Sequence, residues 1–505
     1  MSELPPNPLA EGLAADRRAP ACALVVYGAS GDLTVRKLAP ALEALAADGR
    51  LSPAFAVVGV GRTEMSDEEF GTRMRDAVPK PSAAWEALAA GFRYVTGGYT
   101  APETFERLAE VLAELDEVRG TAGNRLHYLA TVPDVFAGVA TALGRHDLNR
   151  PDRDGAFVRL VVEKPYGRDL DSALRLDEEI HQSFREDQVY RIDHYLGKET
   201  VQNVLALRFA NAIFEPIWDR RYVDHVQITV AESLGVGHRG GFYETAGALR
   251  DIVQNHVLQV LALTAMEPPA SVDAKGIRDE KVKALRAVDI LSPDEVSIDV
   301  VRAQYREGWV EGDQVAGYRD EKGVDPGSRT ETYVAMKVRI DNWRWAGVPF
   351  YVRTGKRLPK RVTEVAMEFR DVPHLPFGSR ETRGLGPNAL VLRIQPDEGI
   401  TLRFGAKVPG QAFRVRTVSM DFSYGAAFLE ETPDAYERLL LDALVGDPTL
   451  FIRADEVEQA WRVVEPILSS WSDDATPLAG YPAGSWGPRE ADRLLERDGR
   501  RWRSP

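Results

Sequence analysis

The first strong pattern is an unbroken apolar run, Cys22-Ala-Leu-Val-Val-Tyr, which stops at a glycine and passes through Gly28-Ala-Ser-Gly-Asp-Leu into the stretch VRKLAPALEALAADG. That order predicts a strand, a tight turn and a helix. A second run, Ala54-Phe-Ala-Val-Val-Gly-Val-Gly, predicts the next strand, and DEEFGTRMRDAV the helix after it. Further strands are expected at Arg125-Leu-His-Tyr-Leu-Ala and Arg159-Leu-Val-Val-Glu-Lys, with TFERLAEVLAELDEV as a helix before the first of these. Strands that alternate with helices in this way imply a parallel sheet with helices on both faces.

The pattern changes near residue 200. After a helix at about 199 to 213, polar and apolar residues roughly alternate in Asp224-His-Val-Gln-Ile-Thr-Val-Ala-Glu, Glu331-Thr-Tyr-Val-Ala-Met-Lys-Val-Arg-Ile, Pro349-Phe-Tyr-Val-Arg, Glu364-Val-Ala-Met-Glu-Phe and Ala389-Leu-Val-Leu-Arg-Ile. A period of two predicts a mostly antiparallel sheet with one wetter face. The helical stretches ALRDIVQNHVLQVLALTAM and AYERLLLDALVGD are expected on its other face. The organisation expected is a flexible leader at 1–21, an α/β domain at 22–200 and an α+β domain at 201–505.

Composition narrows the function classes. The 505 residues are about three domain lengths, and 44% hydrophobic with 28% charged residues is an ordinary globular balance. A net charge of -14 argues against wholesale nucleic-acid binding and requires any anion site to be a concentrated local pocket. The terminal RDGRRWRSP, with four arginines and one tryptophan, reads as a short solvated basic tail. Cys22 is the only cysteine, which excludes an intrachain disulfide and a multi-cysteine metal cluster and fits a reducing cytoplasm. Cys22 itself is expected to be inert core, and no metal is expected. With no apolar h-region and no uncharged apolar stretch of transmembrane length, a non-exported protein without a membrane partner is expected.

Three segments carry chemistry. Gly28-Ala-Ser-Gly31-Asp32-Leu33 follows the first strand and opens the first helix, where glycines allow close backbone approach and free N–H groups favour a pyrophosphate. Its spacing, G-x-x-G-D, is shorter than the full dinucleotide fingerprint, and an ordinary strand-to-helix turn is the bland alternative. At the end of the second strand, Gly59-Val-Gly-Arg62 puts an arginine where NAD-preferring sites hold a carboxylate, which points to NADP; a solvated arginine is the alternative. In the helix Gly247-Ala-Leu-Arg-Asp251-Ile-Val-Gln-Asn255-His256-Val-Leu-Gln259, polar residues recur at spacings of three and four beside an apolar face. A helical histidine is a general base only when a partner orients it, and Asp193, Asp251 and Glu232 are all candidates. Asp193 lies in RIDHYLGKET, residues 191 to 200, beside His194, Tyr195 and Lys198.

Taken together, GASGDL at 28–33, EKPYG at 163–167, RIDHYLGKE at 191–199, RDIVQNHVLQ at 250–259 and RTGK at 353–356 resemble the glucose-6-phosphate dehydrogenase family in order and spacing. The resemblance covers roughly residues 22 to 490. It implies a Rossmann-like coenzyme domain followed by a larger domain on an antiparallel sheet, and oxidation of glucose 6-phosphate at C1 with hydride transfer to NADP, the entry step of the pentose phosphate pathway. It further implies that His256 is the general base and Asp193 the carboxylate that orients it. His194, Tyr195 and Lys198 then hold the phosphate, with Lys356 reaching the substrate from the second domain. Glu232, Asp251 and Gln395 match residues that bind the sugar, Lys164 the lysine between substrate and nicotinamide, and Pro165 a proline whose preceding bond is cis. Gly28, Ser30, Gly31, Asp32, Leu33, Arg62 and Lys164 are the implied coenzyme contacts, and a homodimer or homotetramer through the second sheet is the implied assembly.

Two departures stand out. Tyr166 replaces a phenylalanine common in the family, a change expected to be nearly neutral, and Arg361 stands where a second substrate lysine is common, with Lys360 beside it. Two other readings compete: an NAD(P)-dependent sugar dehydrogenase of different substrate, and a catalytically inactive coenzyme-binding regulator.

Overall fold

The run Cys22–Tyr27 forms strand β1, buried along its whole length, in the computed structural model, which describes residues 17–378, 382, 385–410, 412–428, 433–472 and 477–505. It lies inside a six-stranded sheet with β2 (Phe55–Gly61), β3 (Phe92–Thr96), β4 (Arg125–Leu129), β5 (Val158–Val162) and β6 (Val189–Arg191). The order is β3-β2-β1-β4-β5-β6 and every pairing is parallel. Strands so enclosed read as continuous apolar runs, which is why β1 and β2 are plain in the sequence. The winding reverses between β1 and β4, so the turn after β1 opens at the point where doubly wound sheets bind ligands. The unpredicted β3 and β6 are only five and three residues long.

This sheet belongs to a unit made of Met1–Lys198, Pro269–Asp279 and Thr432–Glu458. The first stretch of this unit ends at Lys198, and the chain returns to the unit twice. Helix Ala435–Val445 is therefore misassigned by the sequence reading: it packs on helix Ala39–Ala47 of this unit. Its last turn is held by Arg159 of β5, whose guanidinium donates to the carbonyls of Ala443 at 2.8 Å and Leu444 at 2.7 Å. Gly446 then ends the helix in the left-handed conformation. Residues 1–16 of the expected leader lie outside the described residues. Its end is not loose: Arg17 pairs with Asp442 and Asp447 at 2.8 and 2.9 Å, and the amide of Ala19 donates to Arg50. Cys22 is buried and its thiol is pushed up to about 12, so it is neutral and inert at pH 7.

The second unit, Glu199–Pro268, Glu280–Glu431 and Gln459–Pro505, contains a nine-stranded sheet. Its strands are β7 (Val223–Ala231), β8 (Val300–Arg306), β11 (Tyr333–Val338), β12 (Phe350–Gly355), β13 (Val362–Phe369), β14 (Ala389–Gln395), β15 (Gly399–Lys407), β16 (Val415–Ser423) and β17 (Ala479–Pro482), and β9 (Gly308–Val310) with β10 (Asp313–Val315) makes a separate hairpin. The order is β16-β15-β14-β13-β7-β12-β11-β8-β17, antiparallel except for β7 with β12 and β8 with β17.

The predicted wet face is not wet in the central strands. β7, β11, β12 and β13 are buried at almost every position, polar residues included. The supposedly solvated RDGRRWRSP covers them. Asp498 accepts from Lys337 at 2.7 Å, Arg500 pairs with Asp224 at 2.7 Å, and Arg503 pairs with Glu364 at 2.9 Å while its carbonyl accepts from Arg353 at 2.7 Å. The Gln227 side chain donates to the Arg501 carbonyl at 2.9 Å and accepts from the Arg503 amide at 2.8 Å. The Arg353 guanidinium lies 4.9 Å from the ring centre of Trp486 and 4.6 Å from that of Trp502. Alternation in the sequence thus reported polarity correctly and exposure wrongly.

One buried group in the first unit makes stability depend on pH. His127 accepts from the Tyr27 hydroxyl at Nδ1 (3.2 Å) and donates from Nε2 to the Leu148 carbonyl (3.1 Å), the pattern of a neutral ring. Burial holds its pKa down to about 3, against an ordinary 6.5. The unfolded chain takes up this proton below pH 6.5 and the folded chain does not, so the contribution is complete above 6.5 and is lost as pH falls toward 3. Urea unfolding from pH 7 to 5 is expected to show stability falling by up to about 1.4 kcal/mol per pH unit from this group. A His127→Gln variant should show a shallower slope, and an identical slope would count against the assignment.

Candidate active site

In the first unit the turn after β1 is shaped by two absent side chains and a set of backbone bonds. Gly28 has φ +87, and a Cβ there would sit 2.5 Å from the Ala130 carbonyl oxygen. The Gly28 amide donates to Val60 at 2.9 Å, and the Gly28 carbonyl accepts from the Gly31 amide at 2.8 Å and the Thr34 hydroxyl at 3.3 Å. The chain becomes helical from Asp32, passes through a π-turn at Thr34–Leu38 and continues as helix Ala39–Ala47. The wide turn accommodates Pro40, which has no N–H to contribute to a regular ladder. Asp32 and Leu33 thus occupy the helix start, with Asp32 exposed. At the end of β2 Gly61 leaves room for the Tyr94 hydroxyl, which a Cβ would meet at 2.5 Å, and the nearby Ser30 hydroxyl accepts from that of Thr63 at 3.4 Å; beside it, exposed Arg62 lies 5.8 Å from the Tyr99 ring centre. A tight glycine turn with no room for a Cβ, at a helix N-terminus with an arginine beside it, fits the phosphates of a dinucleotide.

Two further segments belong to this unit. Lys164, half-buried after β5, is joined to Pro165 by a cis bond. Glu163 before it is buried, accepts from the Tyr128 hydroxyl at 2.7 Å, and has its pKa raised by burial. Asp193 is 1% exposed, and its Oδ1 accepts from the Tyr195 amide at 2.9 Å while its carbonyl accepts from the Leu196 amide. The His194 and Tyr195 ring centres are 5.2 Å apart, and the Lys198 ammonium lies 4.0 Å above the Tyr195 ring. The structure thus brings Asp193, His194, Tyr195 and Lys198 into one turn, with His194 and Lys198 half-exposed.

What fixes this turn is Arg191, to which the sequence reading assigned no role. Its side chain is buried and donates to both oxygens of Glu186 at 2.9 Å and to Asp177 at 2.6 Å; its backbone carbonyl accepts from the Ile452 amide at 3.0 Å. The Tyr166 ring lies 4.9 Å from the guanidinium and its hydroxyl donates to Asp177 at 3.0 Å. The extra hydroxyl of Tyr166 is therefore part of this cluster, not a neutral addition. An arginine inside the otherwise apolar Val189-Tyr-Arg-Ile was the available signal.

In the second unit the chemistry lies along one rim of the nine-stranded sheet. Glu232 and Lys356 directly follow the ends of the parallel neighbours β7 and β12, and the Lys356 ammonium donates to Glu232 at 2.7 Å. Gln395 ends β14 opposite Thr363, to which its amide nitrogen donates at 2.9 Å; its oxygen accepts from Arg361 at 3.0 Å. Arg361 is thereby tied to Gln395.

Asp251 and His256 stand on a segment read as regular helix that instead winds as a π-helix over Leu249–Val257, where the Leu258 amide reaches back to Val253. With bonds five residues apart, Asp251 and His256 come to the same side of the segment. The start is held by Glu331, whose carboxylate accepts from the Leu249 amide at 3.0 Å and whose carbonyl accepts from Ala248; a Cβ on Gly247, φ +65, would collide with that carboxylate. The continuation, helix Leu258–Ala265, is closed by buried Arg208, which donates to the carbonyls of Leu263, Thr264 and Met266, and by the indoles of Trp218 and Trp345. His256 is 1% exposed, and Asp251 is half-buried. Neither Glu331 nor Arg208 carries a local signal, because each acts on residues more than fifty positions away.

A doubly wound parallel sheet with this glycine turn at its switch point defines the first unit as a dinucleotide-binding domain. The family domain described as "Glucose-6-phosphate dehydrogenase, NAD binding domain" matches residues 25–203, and "Glucose-6-phosphate dehydrogenase, C-terminal domain" matches residues 205–503. The chain is 50% identical over 490 residues to "Glucose-6-phosphate 1-dehydrogenase 2" of Mycobacterium tuberculosis, covering 96% of this chain and 95% of that one. It is 49% identical over 488 residues to "Glucose-6-phosphate 1-dehydrogenase" of Aggregatibacter actinomycetemcomitans, covering 96% and 97%. A solved "Glucose-6-phosphate dehydrogenase in complex with its substrate glucose-6-phosphate" superposes with TM-score 0.88 at 33% identity, over 96% of this chain and 99% of that one. The chain belongs to the glucose-6-phosphate dehydrogenase family.

Beside the Glu232–Lys356 pair, Tyr243 is 3% exposed, its ring 5.0 Å from the Lys356 ammonium, and its hydroxyl has no hydrogen-bond partner among the described residues. Burial, then the carboxylates of Asp251, Glu331 and Glu232, push this phenol well above its ordinary pKa, so it stays neutral. A Tyr243→Phe variant is expected to unfold in urea at the parent midpoint or up to about 1 kcal/mol later. A clear loss of stability would mean that the hydroxyl has a partner after all.

Proposed function

We infer that this chain is a glucose-6-phosphate 1-dehydrogenase that oxidises C1 of β-D-glucose 6-phosphate to 6-phosphoglucono-δ-lactone, with NADP as the coenzyme and the cytoplasm as its location. The observation that carries the reading is the likeness over both units to a structure holding glucose 6-phosphate. Among the described residues no helix is long and apolar enough to cross a membrane. The NADP assignment rests on Arg62 at the end of β2, where a 2′-phosphate needs a cation.

A bound nicotinamide supplies the hydride acceptor. Hydride leaves an alcohol carbon readily only as the hydroxyl proton leaves, and His256 is proposed as the base that takes it, with Asp193 as the carboxylate that orients the imidazole. The burial of each side chain supports these roles, since a polar group held away from bulk water keeps its orientation and interacts more strongly with charge. His194, Tyr195, Lys198 and Lys356 are proposed to hold the phosphate. That group lies far from C1, so they position the sugar without taking part in the chemistry. Glu232, Asp251 and Gln395 are proposed to receive the sugar hydroxyls. Lys164 is proposed to lie between the substrate and the nicotinamide.

The test is NADPH formation from glucose 6-phosphate, compared with free glucose and with NAD. Turnover as fast on glucose as on its phosphate would overturn the reading. His256→Asn should lower kcat by about 10²- to 10⁴-fold while substrate still binds, and normal turnover in that variant would remove the base assignment.

A homodimer or homotetramer through the second sheet is also proposed. Its edge strand β16 exposes Val418, Met420 and Phe422 at alternate positions, an apolar row that an edge strand ordinarily covers. Light scattering is expected to give two or four times the 55.9 kDa chain mass, and a monomer at micromolar concentration would refute it.

A further inference from the structure

We propose that Arg73 is a second cation of the coenzyme's adenosine 2′-phosphate subsite, and so a determinant of NADP selectivity beside Arg62; this rests on the NADP reading above. Arg73 projects from helix Asp67–Asp76, whose start is closed by a capping box between Ser66 and Glu69. Phe70, one turn earlier, is buried against the glycine turn: a Cβ on Gly59 would lie 2.9 Å from both Phe70 Cζ and Ala29 Cβ. The helix is thereby pinned to the turn, and Arg73 reaches across to donate to the Ser30 carbonyl at 2.6 Å. Ser30 is then engaged twice, its carbonyl by Arg73 and its hydroxyl by Thr63, the neighbour of Arg62.

Charge makes the placement significant. Among the described residues neither Arg62 nor Arg73 has a carboxylate in ion-pair range, although acidic residues outnumber basic ones 77 to 63 in this chain. Two exposed guanidinium groups without carboxylates, on either side of a serine that opens a phosphate cradle, suit a phosphate monoester dianion, which accepts the arginine fork. Glu68, Glu69 and Asp76 share with Arg73 the wall of a neighbouring cavity of about 640 Å³. Without Arg73 the subsite would face carboxylates, and one arginine would have to hold a dianion on a chain of net charge -14.

The test uses the full chain and isothermal titration with two probes, adenosine 2′,5′-bisphosphate and adenosine 5′-monophosphate. In Arg73→Gln, which can still donate to the Ser30 carbonyl but carries no charge, the affinity ratio of bisphosphate to monophosphate is expected to fall about tenfold. An unchanged ratio, or equal weakening of both probes, would overturn the proposal and leave Arg73 as a pin for the turn. Arg62→Ala separates the two readings. If it collapses the ratio while Arg73→Gln does not, only the Arg73 proposal fails; if neither variant moves the ratio, the NADP assignment fails with it.

Discussion

A guanidinium taken out of water brings a charge and several donors that call for partners, and this molecule repeatedly uses that demand to fix the parts that matter. Arg191 holds the turn carrying Asp193, His194, Tyr195 and Lys198 by drawing in Glu186 and Asp177. Arg208 and Arg159 each close the last turn of a helix by meeting its open carbonyls. Arg353, inside the nine-stranded sheet, is flanked by two tryptophan rings and bonded to the backbone of Arg503. Arg159, Arg208 and Arg353 tie together segments distant in sequence, whereas Arg191 gathers partners from the helix and turn just before it.

The two units solve the same problem by different means. In the first, a sheet buried on both faces ends in a rim where glycines leave backbone donors open, and the chemistry is largely that of the main chain. In the second, the rim carries side chains: Glu232 and Lys356 leave two parallel neighbours side by side, and a π-wound segment packed on those strands presents Asp251 and His256. A π-turn shifts side chains relative to a regular helix and gives up ladder regularity. Glu331 meets the open amide at its start, and Arg208 with two indoles meets the open carbonyls at the end of the regular helix that follows it.

Much of this was legible in the sequence. Cys22–Tyr27 and Phe55–Gly61 announce buried parallel strands because they are apolar throughout, and the alternation in Val223–Ala231 and Ala389–Gln395 announces the second sheet. The turn at Gly28 and the run from Asp193 to Lys198 are local, so their residues are named by adjacency. The failures share one cause. Polar alternation tells which side chains need partners but not whether water or Arg500 and Arg503 provide them, and RDGRRWRSP looks solvated until Asp224, Gln227 and Glu364 are seen beneath it. AYERLLLDALVGD was assigned by chain order, whereas its closing bonds come from Arg159. Arg73 is an unremarkable helical arginine until Phe70 and Gly59 place it over Ser30.

The clasp of residues 498–503 over the sheet carries a consequence for synthesis. Strands β7, β12 and β13 leave the ribosome long before the segment that satisfies Asp224, Gln227, Arg353 and Glu364. Until residues 498–503 are made, Asp224, Gln227, Arg353 and Glu364 lack these partners and keep only those within the sheet, such as Thr229 for Arg353 and His225 for Asp224. The final packing of that face therefore waits for residues 498–503, after the strands themselves have been made.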